Sequence, residues 1–126
     1  MNNFTVLIAD DSDIVIHRLM QILHEPGFNQ DLLKAKSYAE AVDLVKLHQP
    51  QVVILDIQLP GKSGFELLNY IRVQHPGIKT IVLTNKVNVS YKTLCENMGA
   101  EYFIDKSSDF EKIPGIVESY KAALTN

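Results

Sequence analysis

The chain has 126 residues, of which 46% are hydrophobic and 21% are charged, and its formal net charge is −3. This length and composition are ordinary for one globular domain that buries a core without disulfides or a structural metal. Cys95 is the only cysteine, which excludes an internal disulfide and a cysteine-rich metal site. The slightly negative charge gives no reason to expect nucleic-acid binding, which usually requires a basic patch.

The N-terminal residues lack a positively charged region followed by a long apolar run, so they do not predict a signal peptide. No apolar stretch approaches the ~20 residues that a membrane-spanning helix needs. We therefore expect a cytoplasmic protein that makes no membrane contact.

Short apolar segments alternate with segments of helical periodicity along the chain. The predicted strands are Phe4–Ala9, Leu32–Ala35, Gln51–Leu55, Lys79–Thr84 and Tyr102–Ile104. Apolar stripes at spacings of three, four and seven residues predict the helices. Four of these stripes are Val15, Leu19, Ile22 and Leu23; Tyr38, Ala41, Val42 and Val45; Tyr91, Leu94, Cys95 and Met98; and Ile113, Ile116, Val117, Tyr120 and Leu124. The remaining helix, third in chain order, is predicted over residues 63–74.

Three predicted helix starts show a serine followed three residues later by a glutamate, the capping-box pattern. These pairs are Ser37 with Glu40, Ser63 with Glu66, and Ser108 with Glu111. Pro26–Gly27 is expected to end the first helix. Pro114 falls just inside the last helix, where a missing N–H costs little.

Five strands in strict alternation with five helices predict a parallel sheet covered by helices on both faces. Right-handed crossovers then make a doubly wound α/β domain. Because the last predicted helix runs nearly to the C-terminus, we expect a single domain over residues 1–126 and no output domain.

Polar residues follow the ends of four predicted strands, at the edge where open parallel sheets bind ligands. Asp10 and Asp11 follow the first strand, Asp56 the third, Thr84 ends the fourth, and Lys106 lies beyond the fifth. Three close carboxylates repel one another, and a divalent cation held by oxygen ligands, such as Mg²⁺, relieves that repulsion. A carboxylate beside Mg²⁺ is also a nucleophile toward phosphorus. The pattern therefore indicates Mg²⁺-dependent phosphoryl transfer to an aspartate, with Lys106 and Thr84 available to the transferred group.

The sequence resembles the receiver domains of bacterial two-component response regulators over essentially its whole length. The resemblance is carried by VLIADDS (Val6–Ser12), VVILDIQLPGKSGFELL (Val52–Leu68), IVLT (Ile81–Thr84) and GAEYFIDKS (Gly99–Ser107). The LPGKSG turn after Asp56 is especially specific. The resemblance implies a flavodoxin-like sheet of strand order 2-1-3-4-5. It also implies a phospho-accepting signalling domain rather than an enzyme, with intrinsic autophosphorylation and slow autodephosphorylation.

The resemblance assigns the acidic residues to separate roles. Asp56 matches the phosphoacceptor. Asp11 matches a direct Mg²⁺ ligand. Asp10 matches a carboxylate that contacts the ion through a water molecule, or that contacts the ion's ligands rather than the ion. The backbone carbonyl of Gln58 matches the third protein ligand. Mn²⁺ is an alternative to Mg²⁺ in such a site.

The remaining matches concern switching and partners. Thr84 matches the hydroxyl that moves toward the phosphoryl group, Lys106 matches the lysine that pairs with it, and Phe103 matches the aromatic residue that rotates inward on activation. The implied donor is a histidine kinase or a phosphotransfer protein. The implied output is an unidentified downstream protein that docks on the face formed by helix 4, strand 5 and helix 5.

Two positions depart from the family pattern. Ser107 follows Lys106, where many receivers have a proline with a cis peptide. Because a cis bond before serine costs ~2.5–4 kcal/mol, we expect a trans bond or a locally different loop. Asn85 follows Thr84, where a small residue is common. Our hypothesis is that Asn85 and Gln58 set the lifetime of the phosphorylated form.

Each of these residues also has a purely structural interpretation. Asp10, Asp11 and Asp13 fit a helix start capped by Ser12, and for Asp13 this is the preferred interpretation. Taken singly, Thr84 fits a strand end, Lys106 a solvated lysine and Phe103 a packing residue.

Three rival functions are weighed against the receiver. Residues 11–15 fit the Asp-x-Asp-x-Thr/Val motif of haloacid-dehalogenase-like phosphohydrolases, but this leaves Asp56 and its loop unexplained. A pure interaction module leaves the acidic set unexplained. A nucleotide-binding flavodoxin-like protein is disfavoured because no glycine-rich loop follows the first strand.

Overall fold

The computed structural model describes residues 4–24, 30–85 and 88–125. Its strands are β1 (Phe4–Ala9), β2 (Gln30–Ala35), β3 (Val52–Leu55), β4 (Lys79–Thr84) and β5 (Tyr102–Asp105). Its helices are α1 (Asp13–Leu23), α2 (Tyr38–His48), α3 (Gly64–Gln74), α4 (Val89–Asn97) and α5 (Ile113–Thr125), with a 3₁₀ turn at Phe110–Lys112 before α5. The predicted alternation of strands and helices is confirmed.

The strands form one parallel sheet of order β2-β1-β3-β4-β5, which confirms the predicted topology. Hydrogen bonds continue past the ends of the strands on the carboxyl side. The N–H of Asp10 donates to the carbonyl of Ala35, and the N–H of Asp56 donates to the carbonyl of Ala9, each at 3.0 Å. These bonds hold the residues that follow β1 and β3 at the same level of the sheet.

Each face of the sheet has its own hydrophobic core, because successive strand residues point to opposite faces. One core joins β-strand residues such as Leu7, Val53 and Val82 to the buried sides of α2, α3 and α4. The other joins Ile8, Ile54 and neighbouring strand residues to α1 and α5. The central strands are therefore buried on both sides, as their continuous Val/Ile/Leu composition predicts.

Serine side chains cap the helices that lead out of the loops near the carboxyl edge. The Oγ atoms of Ser12, Ser37 and Ser63 accept hydrogen bonds from the N–H groups of Val15, Glu40 and Glu66, at 3.3, 3.2 and 3.4 Å. The predicted cap at Ser108 is wrong. The segment starts with the 3₁₀ turn behind Asp109, whose side chain makes no capping hydrogen bond. Ser108 lies inside the turn that the hydrogen bond from the N–H of Asp109 to the carbonyl of Asp105 closes, so it does not begin a helix.

Several predicted boundaries and faces differ from the structure. Helix α1 ends at Leu23, and Pro26–Gly27 lies outside the described residues. Leu94 and Leu124, predicted on apolar stripes, are 44% and 64% exposed. Cys95 of α4 and Val117 of α5, on the same predicted stripes, are buried, so each helix buries only part of its predicted stripe. Within the described ranges, no helix is long and apolar enough to span a membrane.

Candidate functional site

Three carboxylates meet at the carboxyl edge of the sheet. Carboxylate oxygens of Asp10, Asp11 and Asp56 all lie within 4.8 Å of one another. Asp10 and Asp56 are buried, at 2% and 5% exposure, whereas Asp11 faces solvent. The structure thus brings together the three aspartates that the sequence placed after β1 and β3.

Lys106 bridges the two buried carboxylates. Its Nζ lies 2.8 Å from Oδ2 of Asp10 and 2.7 Å from Oδ2 of Asp56, and its side chain is 10% exposed. Burial opposes the charged ammonium, but the hydrogen bonds to Asp10 and Asp56 outweigh it and raise the pKa of Lys106. Lys106 therefore stays protonated at neutral pH and neutralises part of the acidic cluster.

The position of Asp10 disfavours the charged form of its carboxyl group. Burial raises its pKa above the ordinary value, and the hydrogen bonds from Lys106 and from the N–H of Ser12 only partly compensate. Three carboxylates and one ammonium leave two formal negative charges at this edge. A divalent cation would balance that charge, and the all-oxygen donor set fits a hard cation such as Mg²⁺ or Mn²⁺.

The two buried aspartates are oriented in the same way. Oδ1 of Asp10 accepts a hydrogen bond from the N–H of Ser12 at 2.9 Å, and Oδ1 of Asp56 accepts one from the N–H of Gln58 at 3.2 Å. Each aspartate thus forms a local turn with the residue two positions on. Because the other oxygen of each faces Lys106, both carboxylates are fixed before any ligand arrives.

Gly64 makes the loop after Asp56 possible, a role that sequence reasoning missed. Its N–H donates to the carbonyl of Ile57 at 2.6 Å. A Cβ atom at position 64 would lie 2.0 Å from the backbone oxygen of Asp56 and 2.6 Å from Cα of Ile57. No side chain fits there, so the start of α3 lies directly against the backbone of Asp56. The LPGKSG segment contains the signal, but the reason for the glycine is visible only in three dimensions.

The other residues predicted for the site differ in burial and in their contacts. Thr84 ends β4 with no exposed surface, and its carbonyl accepts the N–H of Lys106 at 3.1 Å. Phe103 is half-buried and packs against the core that α2, α3 and α4 share with the sheet. Asn85 and the side chain of Gln58 are exposed. Asp13 is separate from the cluster, because it lies in the first turn of α1 and pairs with Lys36 at 2.9 Å. Asp13 is the second aspartate of the phosphohydrolase motif, so that motif does not place both of its aspartates in the site.

Asp105 is a second residue that sequence reasoning missed. Its Oδ1 accepts hydrogen bonds from the N–H and from Oγ of Ser107, at 2.9 and 2.7 Å. The N–H of Ser107 lowers the pKa of Asp105, and the Ser107 hydroxyl adds to the effect. Every peptide bond within the described ranges is trans, Lys106–Ser107 included, in agreement with the expected absence of a cis bond there.

A parallel sheet of this order, with buried aspartates bridged by a lysine at its carboxyl edge, defines a class of phospho-accepting signalling domains. The chain matches the response regulator receiver domain family over residues 6–118, and it belongs to that family. It is therefore a receiver domain of two-component signalling. Its cluster of Asp10, Asp11 and Asp56 is the acidic pocket typical of such domains, which partner with histidine kinases and phosphotransferases.

Individual relatives differ in how much of their length the chain covers. It is 26% identical to sporulation initiation phosphotransferase F of Bacillus subtilis over 126 residues, which is 100% of both chains. It is 34% identical over 107 residues to a cyclic di-GMP phosphodiesterase of Thermotoga maritima, covering 85% of this chain but 28% of that protein. It is 28% identical over 109 residues to the probable transcriptional regulatory protein TcrX of Mycobacterium tuberculosis, covering 86% of this chain and 46% of that one. The chain thus spans less than half of these last two relatives.

Solved structures show the same fold. The receiver domain of Francisella response regulator 1452 superimposes with a TM-score of 0.85 at 24% identity, covering 96% of this chain and 99% of that one. A response regulator receiver domain protein from Methanospirillum hungatei gives a TM-score of 0.82 at 25% identity, covering 97% and 99%.

Proposed function

We propose that this chain accepts a phosphoryl group on Asp56 from the phosphohistidine of a histidine kinase or phosphotransfer protein, with Mg²⁺ bound. The resulting aspartyl phosphate would switch a protein-interaction surface. The observation that carries this proposal is the position of Lys106, which bridges two buried carboxylates within a cluster that retains two negative charges.

The proposed transfer uses groups that are already in place. A carboxylate oxygen of Asp56 attacks phosphorus in line, the new O–P bond forms, and the P–N bond to the donor imidazole breaks with its electron pair going to nitrogen. The Lys106 ammonium neutralises charge on the phosphoryl oxygens. The N–H of Gln58 holds Oδ1 of Asp56, so the carboxylate keeps its orientation.

The residues that would hold the cation are Asp11 and Asp56 directly, the carbonyl of Gln58, and Asp10 through water. A bound Mg²⁺ would neutralise charge that develops on the transferred group. The exposure of Asp11 is compatible with this assignment, because Mg²⁺ usually keeps several waters and an exposed carboxylate can reach a partly hydrated ion.

The proposed switch starts from Thr84 and Lys106. The N–H of Lys106 donates to the carbonyl of Thr84, so a movement at the end of β4 would be transmitted to the residue after β5. Phe103 would follow by rotating inward. A shift of a two-state equilibrium from mostly off to mostly on requires ~5.5 kcal/mol of differential interaction, which a doubly charged group beside Lys106 and a cation can supply.

The downstream partner would dock on the face formed by α4, β5 and α5. Exposed apolar side chains support this choice, with Val89 at 80%, Leu94 at 44% and Tyr102 at 42% exposure. The docking face, the cytoplasmic location and the single-domain organisation stay predictions.

The proposed lifetime role of Asn85 and Gln58 is compatible with the exposure of both side chains, and each lies within two residues of Thr84 or Asp56 in the sequence. Its test compares dephosphorylation of the wild type and Asn85→Ala. Identical rates would eliminate this role.

The test of the proposed function is incubation with acetyl phosphate and Mg²⁺, followed by intact mass. We expect one added phosphoryl group in the wild type and in Asp43→Asn, an exposed carboxylate on α2, and none in Asp56→Asn. No gain in the wild type would favour an interaction module. Turnover of a generic aryl phosphate would favour the phosphohydrolase.

A further inference from the structure

The loop that carries Lys106 is held by a side chain that the proposed transfer does not use. Oδ1 of Asp105 accepts both hydrogen bonds from Ser107, and the backbone carbonyl of Asp105 accepts the N–H of Asp109 at 3.0 Å. Lys106 lies between the two ends of this turn. The side-chain bonds therefore close a small ring of atoms around the backbone of Lys106.

The strand side of the same loop is fixed independently. Asp105 is the last residue of β5 and lies opposite Thr84 of β4, and the N–H of Lys106 donates to the Thr84 carbonyl. The sheet thus fixes the backbone before Lys106, and the Asp105 side chain fixes the backbone after it. A lysine reaches its partners through four flexible methylene groups, so the placement of its Nζ depends on a fixed Cα position.

Ser107 can bond to the Asp105 side chain through its backbone because it has an N–H. A proline at this position would stiffen the loop through its ring but could not donate to Asp105. The trans Lys106–Ser107 peptide and the Asp105–Ser107 bonds occur together in this chain.

We propose that Asp105 is a positioning residue that, through Ser107, holds Lys106 against Asp10 and Asp56. This inference rests on the proposed function for its kinetic consequence, but the positioning itself is a property of the unphosphorylated protein.

The kinetic test measures the rate of Asp56 phosphorylation by acetyl phosphate in Mg²⁺. Asp105→Ala removes the acceptor and is expected to slow the reaction on the order of tenfold, short of the ~100-fold loss that a 1 Å misplacement can cause. Asp105→Asn keeps an oxygen acceptor and is expected to restore the rate. Ser107→Ala, which keeps the N–H bond and loses Oγ, is expected to fall between them. Asp43→Ala serves as the matched loss of an exposed carboxylate.

A double mutant separates positioning from a general structural effect. If Asp105 acts through Lys106, Asp105→Ala has no further effect on the rate when it is added to Lys106→Ala. An equal slowing in both backgrounds would overturn the inference.

A second measurement does not depend on phosphorylation. The ¹⁵N signal of the Lys106 ammonium, assigned by its absence in Lys106→Ala, reports the two ion pairs directly. We expect it to persist in the wild type and Asp105→Asn, and to move to the position of a solvated lysine in Asp105→Ala. An unchanged signal in Asp105→Ala would overturn the inference. A wild type that shows this signal but takes up no phosphoryl group would refute the proposed function alone.

Discussion

The Lys106 ammonium and the Asp56 carboxylate form an ion pair of 2.7 Å in which both side chains are at most 10% exposed. The same nitrogen also contacts Asp10, so one cation serves two buried anions. Phosphorylation of Asp56 would replace its carboxylate charge by phosphoryl oxygens within reach of the same lysine. Phosphorylation of Asp56 would therefore rearrange the ion pair that the unphosphorylated protein forms.

Lys106→Ala tests this relationship. Removal of one partner of a buried ion pair costs about 3–5 kcal/mol in other proteins, and residual exposure of the pocket places the expected loss here at the lower end. We expect urea unfolding in Mg²⁺-free buffer to show this loss, and saturating Mg²⁺ to recover part of it. The variant would still accept a phosphoryl group but bind its downstream partner poorly. Normal partner binding by phosphorylated Lys106→Ala would contradict the switch mechanism.

Asp10→Asn is expected to stabilise the fold at neutral pH. The folded-state pKa of Asp10 is raised, mainly by burial, so its carboxylate disfavours folding at every pH above its unfolded-state value of 3.8. Asparagine removes that charge and leaves Lys106 paired with Asp56. We expect a gain of roughly 0.5–2 kcal/mol, the range that single stabilising substitutions commonly give.

The sign of the pH dependence follows from the same shift. As the pH falls through the raised folded-state pKa, the wild-type Asp10 becomes protonated and the advantage of asparagine shrinks. Urea unfolding of both proteins across this range measures it. An advantage that grows toward acid pH would show that burial does not dominate at Asp10.

Mg²⁺ is expected to stabilise the wild type through the exposed ligand. At ten times the dissociation constant the gain in unfolding free energy is about 1.4 kcal/mol. Asp11→Asn should lose most of this gain while its metal-free stability stays close to that of the wild type, because Asp11 is exposed. Thermal melts with a Mg²⁺ titration and with chelator test it. Equal Mg²⁺ stabilisation of both proteins would remove Asp11 from the ligand set.

Two glycine-to-alanine substitutions are expected to act in opposite directions. At Gly64 the added Cβ would collide with backbone atoms of Asp56 and Ile57, and overpacking of this kind costs typically 1–3 kcal/mol. At Gly115, the third residue of α5, an added Cβ meets nothing within 4 Å, so alanine should stabilise the protein by up to ~1 kcal/mol, the propensity difference of a helix interior. Denaturant unfolding compares the two, and a Gly64→Ala protein as stable as the wild type would show that the loop after Asp56 can shift freely.

Sequence periodicity predicted the sheet well because β1, β3 and β4 each contain a run of at least three buried apolar residues. Strand β4 was predicted at its observed bounds, Lys79–Thr84. The serine caps at Ser37 and Ser63 were predicted because capping depends on residues three apart. The start of the last helix was not, since a 3₁₀ turn and the Asp105–Asp109 turn compete with the capping pattern of Ser108.

The acidic site was predictable in its membership but not in its geometry. Strand ends must meet at one edge, so Asp10, Asp11, Asp56 and Lys106 follow from topology. The lysine bridge depends on side-chain reach, and the tight contact of Gly64 with Asp56 depends on how α3 docks. Neither distance is encoded in local sequence spacing.

The most direct test of the central claim is to locate the phosphoryl group by chemistry. After incubation with acetyl phosphate and Mg²⁺, borohydride reduces an aspartyl phosphate to homoserine, releasing phosphate, and peptide mass spectrometry identifies the converted residue. We predict conversion of Asp56 alone. Conversion of Asp11 instead, the nucleophile of the phosphohydrolase alternative, would contradict the account, as would conversion of no aspartate.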